Sequence, residues 1–585
     1  MHTNGKRKEV AMKVDVLVAE IGSTTTVVNA FKDIDSDNPV FWAQGQAPTS
    51  VLEGDVRIGL QGAIDDLCAK MDIDNLEYDE MLATSSAAGG LKMTVHGLVY
   101  DMTARAAKEA ALGAGGIIHF VTAGKLRRTD LAKIREINPN LILIAGGVDY
   151  GERDTAIDNA EKIRALGLKT PIIYAGNIEN QEEMKLIFDE ESGQQLYNVD
   201  NVYPKIDDLN VEPCRKVIQD AFEDHIIHAP GMEHVRDMVS GPIIPTPGAV
   251  MECTRLLYDC IGDLIVLDVG GATTDLHSVA TESDQVARIM IAPEPKAKRT
   301  VEGDLGVYVN RMKVIESIGE EKMQKLCDKA GINLEKTLES YVAIPKNDDE
   351  IKLVEMLTEE AVMKAVERHA GQIRYVYGPS GRSTLAEGKD LTQVKYIVGT
   401  GGALTRLPHR VDIMKRIAEY DDTGMRLFPT SHAEILVDND YIMASLGVLS
   451  KKHREGAIKL LEKSLGFKFP EKKERIAGLS AAMGMADGAG EAGDGQAAEI
   501  PAALQGVAAE LAEKDARREE LIKHIEECEA QGYDMTAYRE DLGLPVPEGA
   551  GRVDPTKLTM KNVDTCDHNC RYCSRTSCPG RNREA

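Results

Sequence analysis

Three glycine-rich turns, each closing a β-rich apolar run, gather the groups in this sequence that can do chemistry. They are Gly22-Ser23-Thr24-Thr25, Gly270-Gly271-Ala272-Thr273-Thr274 and Gly399-Thr400-Gly401-Gly402. Backbone N–H groups in such turns converge on one point, and glycine lets a phosphate approach without a Cβ in the way. Ser23, Thr24, Thr25, Thr273 and Thr274 add hydroxyl donors. One turn of this kind is an ordinary strand end; three of them form a grip for a chain of phosphates. Glu20 closes the first strand and Asp268 the second, so two carboxylates face the same phosphates. That pairing calls for a divalent cation. Mg²⁺, which keeps several of its waters, is expected to be held by Glu20 and Asp268 through them. Asp268 is also the residue expected to orient or deprotonate an attacking water.

A second constellation is Cys566-x3-Cys570-x2-Cys573-x4-Cys578, too dense for scattered structural cysteines. Thiolates at this spacing can converge on one metal, and four of them favour closed coordination, zinc first and an iron–sulfur cluster second. His568 is the one residue able to replace a thiolate. The first three cysteines also match the pattern of radical S-adenosylmethionine enzymes. Those enzymes place the motif ahead of a long barrel, however, and only a short tail follows here.

The elements that must position these groups follow from periodicity. Val14–Glu20 reads as a strand that turns and resumes at Val27–Phe31, a hairpin with a small, hydroxylated tip. A helix is expected from Asp55 to Met71 and a short strand from Met81. Between about Arg105 and Glu233 the pattern alternates: Leu141–Ala145 a strand, Arg153–Leu166 a helix, Pro171–Ala175 a strand, Gln181–Phe188 a helix. This is the signature of an inserted Rossmann-like α/β domain. A Pro- and Gly-rich loop leads to a helix at Val250–Tyr258, the strand Leu264–Val269, and a second hairpin resuming at Leu276–Ala280. Helical spacing dominates Tyr308–His369, and Val394–Val398 is a strand that stops at the third glycine turn. The expected domains are 12–104, the first part of one lobe; 105–240, the insert; 241–480, the remaining core; 481–500, a flexible linker; 501–545, a helical segment; and 546–585, the cysteine tail.

Composition limits the function classes. With 69 Lys+Arg against 95 Asp+Glu the net charge is −26, which argues against nucleic acid as the main partner. Hydrophobic residues make up 43%, enough for real cores. Aromatic residues are only 4%, which suits α/β layers. No apolar run reaches the ~18–20 residues of a membrane span, and no signal-type segment follows the basic start. The expectation is a cytoplasmic protein with no membrane partner.

Ala19-Glu-Ile-Gly-Ser-Thr-Thr-Thr26 and Leu267-Asp-Val-Gly-Gly-Ala-Thr-Thr-Asp275 resemble the two phosphate motifs of the acetate and sugar kinase, heat-shock chaperone and actin superfamily. Ile397-Val-Gly-Thr-Gly-Gly-Ala-Leu404 resembles its adenosine motif, and the stretches from Pro247 and Asp440 fall where its connecting helices belong. The resemblance implies an α/β protein with two actin-like, ribonuclease H-like lobes and ATP in the cleft. The first motif usually carries Asp where this chain has Glu20.

Ser85-Ser-Ala-Ala-Gly-Gly-Leu91, Leu143-Ile-Ala-Gly-Gly-Val-Asp149, Ile173-Tyr-Ala-Gly-Asn177 and Arg299-Thr-Val-Glu-Gly-Asp-Leu-Gly306 resemble the glutamate mutase accessory protein family. The last phrase places Glu302 among the expected nucleotide-binding residues. This resemblance implies an ATPase that acts as a reactivating chaperone, with subunits of a cobalamin-dependent mutase as partners: glutamate mutase, or an aminomutase such as the ornithine enzyme. The insert lacks an Asp-x-His-x-x-Gly pattern, so no histidine-ligated corrinoid is expected in it. A small-molecule kinase, an ATP-driven electron activator with an iron–sulfur cluster, and a filament-forming protein remain open alternatives.

Overall fold

The computed structural model describes residues 11–22, 25–86, 91–226, 231–232, 234–378, 381–419 and 424–470. All belong to the first of two units, divided at Glu499. The expected linker, helical segment and cysteine tail lie outside the described residues, as do Ser23 and Thr24.

Two five-stranded sheets repeat one plan. In the first, the central strand Ala11–Ile21 pairs antiparallel with Thr25–Lys32, which pairs antiparallel with Val40–Pro48. On its other side it runs parallel to Asn75–Ser85, which is parallel to Ile243–Pro245. In the second, the central strand Leu264–Val269 pairs antiparallel with Thr274–Val279, and that with Ala297–Glu302. Its other neighbours, Tyr396–Thr400 and then Glu434–Val437, are parallel. Both sheets thus read third, second, first, fourth, fifth, with the second strand reversed. This is the duplicated ribonuclease H-like order of two actin-like lobes.

Each central strand is apolar on both faces, as a strand covered from both sides must be. Leu17, Ala19 and Ile21 face the core of the first lobe, and Ile265, Leu267 and Val269 that of the second. Val16 and Val18, with Leu264 and Val266, face a third core that joins the lobes. Helices Thr246–Ile261 and Met443–Leu449 fill it. They approach so closely that a Cβ on Gly447 would lie 1.9 Å from the carbonyl oxygen of Ala249.

The insert is a five-stranded, wholly parallel sheet in the order Ile117–Ala123, Lys92–Gly97, Leu141–Ile144, Ile172–Tyr174, Leu196–Asn198. It begins at Lys92, ahead of the boundary expected at 105. Its first strand hides from an apolar-run reading because Thr94 and His96 are buried within it. His96 bonds Thr94 Oγ1 at 3.0 Å and Thr122 Oγ1 at 2.8 Å. A hairpin of Gln372–Gly378 and Gly381–Glu387 was also not foreseen. Among the described residues no helix is long and apolar enough to cross a membrane.

Candidate functional site

Strand alternation decides where the carboxylates point. Val16 and Val18 face the core between the lobes, and Glu20 continues that row at the strand's end; Leu264 and Val266 place Asp268 in the same way. The two carboxylates come from different lobes yet act on each other. Asp268 is pushed up to about 7, first by burial, then by repulsion from Asp275 and Glu20. Glu20 is also pushed up to about 7, chiefly by burial, against a hydrogen bond from Ser445 that favours its charged form. Ser445 Oγ donates to Glu20 Oε1 at 2.6 Å, and Asn29 Nδ2 donates to Ser445 Oγ at 2.8 Å and to Glu20 Oε1 at 3.2 Å.

The hairpin turns close alike. Gly22 N–H donates to the Thr25 carbonyl at 3.0 Å, and Gly270 N–H to the Thr273 carbonyl at 2.9 Å. In the second turn the carbonyls are tied back. Gly271 O accepts from the N–H groups of Tyr308 at 2.9 Å and Val309 at 2.7 Å, and Ala272 O accepts from Asn310 Nδ2 at 2.8 Å. The N–H groups of Gly271 and Ala272, both exposed, donate to no backbone group among the described residues. Such a turn fits an anion.

The third turn meets the second lobe's carboxylate directly. Gly401 has φ +80°, and a Cβ there would lie 2.5 Å from Asp268 Oδ1 and 2.6 Å from Val269 N. Only glycine satisfies both the angle and the approach. Gly402 is exposed, with nothing near its Cβ position, while Gly399 packs on Met414.

Several expected donors are already engaged. Thr274 Oγ1 donates to the Leu305 carbonyl at 2.8 Å, because alternation turns this side chain into the lobe core. Thr400 Oγ1 donates to Asp438 Oδ2 at 2.9 Å. Neither threonine offers its hydroxyl to the cleft. Thr273 Oγ1 bonds Asp275 at 3.2 Å, and Thr25 is exposed. Glu302 accepts from Arg368 at 2.5 Å, and burial raises its carboxyl.

Three residues of the site were not foreseen. Asp438, fully buried, accepts from Thr400 Oγ1, from Ser464 Oγ at 2.7 Å and from the N–H groups of Ile442 and Met443, and so anchors the helix carrying Ser445. Tyr441 holds φ +55°, and the charges of Asp268 and Glu20 bear on its phenol. Arg299, 2% exposed, donates from Nε to Asp275 Oδ1 at 2.8 Å and from Nη1 to the Leu112 carbonyl at 3.0 Å. An Asp between a strand and a helix was the available signal for the first; an arginine inside a strand was the signal for Arg299. Among the described residues no group of three or more His, Cys, Asp and Glu converges to hold a metal.

A duplicated sheet of this order, with matched glycine hairpins and a carboxylate at the end of each central strand, defines the two-lobed actin-like class. The chain belongs to the MutL protein family, whose model matches residues 16–465. Protein MutL of Clostridium tetanomorphum is 36% identical over 462 residues, 77% of this chain and 98% of that relative. Similar solved structures include a nucleotide-free acetone carboxylase, at 14% identity, 75% of this chain, 70% of that chain and TM-score 0.31. Another is the glycerol kinase of Plasmodium falciparum with ADP, at 11% identity, 81% of this chain, 98% of that chain and TM-score 0.30. Likenesses at this level carry nothing about function, and the fold class rests on the strand order.

Proposed function

We propose that the protein is an ATP-hydrolysing accessory protein that reactivates an adenosylcobalamin-dependent mutase, with glutamate mutase or an aminomutase such as the ornithine enzyme as client. The observation that carries the ATPase part is the pairing of Glu20 and Asp268, carboxylates at equivalent ends of two like strands, beside matched hairpins. Membership of the MutL family supports the mutase part.

In this reading the phosphates lie between the turns at Gly22–Thr25 and Gly270–Thr273, and the adenosine end against Gly399–Gly402. Mg²⁺, when bound, supplies the charge that lets two carboxylates face a polyphosphate. Asp268, poised near neutrality, accepts a proton from water aligned on the terminal phosphate. Glu20 is held in place by Ser445 and Asn29. The bond from Arg299 to Leu112 gives the insert a direct tie to Asp275 beneath the hairpin. Cys566, Cys570, Cys573 and Cys578 form a separate zinc or iron–sulfur site. A chain ending before Val563 then loses about one equivalent of zinc, or visible absorbance if the site holds a cluster.

The test is a mixing assay: the purified protein, ATP and Mg²⁺ are added to an inactivated cobalamin mutase with fresh adenosylcobalamin, and recovered turnover is measured. ATP-dependent recovery supports the reading, and no recovery with either candidate client overturns it. Hydrolysis that survives Asp268→Ala unchanged removes the role of that residue.

A further inference from the structure

Asp268 lies opposite Thr400 in the parallel pairing of their strands. Thr400 Oγ1 donates to Asp438 Oδ2 at 2.9 Å, and further along the chain Ser445 Oγ donates to Glu20 Oε1 at 2.6 Å. The stretch 438–445 therefore runs from the neighbour of one carboxylate to the other. Tyr441 stands midway along it.

The backbone of Tyr441 is held where an aromatic residue does not rest. Its φ of +55° falls in the left-handed region, which glycine or asparagine enters readily and a bulky side chain does not. Asp438 enforces the angle. Tyr441 N–H donates to the Asp438 carbonyl at 3.2 Å, and the Asp438 carboxylate accepts from the N–H groups of Ile442 and Met443, both at 3.0 Å. Strain fixed from all sides in this way gathers at ligand clamps. The side chain, by contrast, is left open. Glu20, Asp268 and Tyr441 are each partly exposed, while the residues that follow them, Ile21, Val269 and Ile442, are buried. Burial first, then the charges of Asp268, Glu20 and Asp438, keep the phenol protonated, and among the described residues its hydroxyl has no hydrogen-bond partner.

A phosphate between two carboxylates needs donors, and an ionised carboxylate supplies none. The hydroxyls of Thr274 and Thr400 are spent elsewhere. In the functional reading, on which this inference rests, the terminal phosphate of ATP is the part that lies against Asp268 and Glu20, because the attacking water is aligned there. We propose that the Tyr441 hydroxyl donates a hydrogen bond to that terminal phosphate and so lets the protein tell ATP from ADP. The strained backbone fixes the hydroxyl before the nucleotide arrives. ADP lacks the accepting group, so the contact is made to ATP alone.

The experiment is a calorimetric titration of the full-length protein, in Mg²⁺, with a non-hydrolysable ATP analogue and with ADP, for the wild type and Tyr441→Phe. Phenylalanine keeps the ring and removes only the hydroxyl. The analogue is expected to bind Tyr441→Phe about tenfold more weakly or worse. ADP should bind within twofold of wild type, and melting without nucleotide should be unchanged. Equal weakening of both nucleotides would mark a merely structural residue and overturns the proposal, as does an analogue affinity within twofold of wild type; either result leaves the functional reading intact. A wild type that binds neither nucleotide overturns both. If the variant melts early, hydroxyl-radical footprinting of the wild type decides, since it reads the side chain itself: the analogue must shield Tyr441 more than ADP does, and equal shielding rejects the contact.

Discussion

Arg299 bonds Asp275 Oδ1 with Nε at 2.8 Å and the carbonyl of Leu112 with Nη1 at 3.0 Å. One buried guanidinium thus spans the sheet of the second lobe and the last turn of helix Arg105–Gly113. Lysine keeps the charge but not the planar fork. Arg299→Lys is expected to cost about 1–2 kcal/mol of stability and to keep hydrolysis within a few-fold. In the wild type, nucleotide should change amide exchange at residues 105–113; in Arg299→Lys that change should vanish. Exchange measured by mass spectrometry with and without ATP checks this, and an equal response in both proteins contradicts it.

Ser445 favours the charged form of Glu20 through a 2.6 Å bond. In Ser445→Ala that support is gone and the carboxyl rises further. A charge-assisted bond contributes about 1.5–3 kcal/mol, so the acid limb of the hydrolysis profile should move up by roughly one to two pH units. A profile that coincides with the wild type would falsify the link between the helix and Glu20.

Asp268 binds its proton more tightly in the folded protein, near 7, than in the unfolded chain, near ~4. The folded state therefore carries more protons between about pH 4 and 7, and the stability this group contributes is lost as pH rises through that window. Without nucleotide, Asp268→Asn should melt above the wild type at pH 8, by about 4 kcal/mol, with the gap narrowing to about 1 kcal/mol near pH 5. Melting curves at several pH values test this; a gap that does not change with pH sinks it.

Gly401 combines φ +80° with a Cβ position 2.5 Å from Asp268 Oδ1. Gly401→Ala should lose about 1–3 kcal/mol through strain and overpacking. It should weaken ATP binding more than Gly402→Ala, whose Cβ meets nothing. Calorimetric titration of the two variants gives the comparison, and equal affinities would refute it.

The hairpin turns were legible because a strand, a small-residue turn and a returning strand are neighbours in sequence. The two actin-like, ribonuclease H-like lobes were foreseen through the resemblance of the glycine motifs, though not the strand order within each. Asp438 was not, because its partners Thr400 and Ser464 lie far along the chain and only the fold brings them together. The Thr274 hydroxyl was misread as a cleft donor, since composition says nothing of which face a strand residue takes. The strand at Lys92–Gly97 was missed because Thr94 and His96 satisfy each other inside the core, which disguises a buried strand as a polar segment. Arg299 and Glu302 sit in one short strand, yet their partners, Leu112 and Arg368, come from distant elements.

At Gly447 and Ala249 backbone meets backbone, and contact that close resists being lifted apart but tolerates turning. In the proposed function it serves as a pivot. Displacement grows with distance from a pivot, so a rotation that barely disturbs the groups beside it sweeps remote loops through much larger arcs. In the proposed function the chemistry then occupies the short arm of a lever, and a small change at the carboxylates is geared up into a stroke on the client protein.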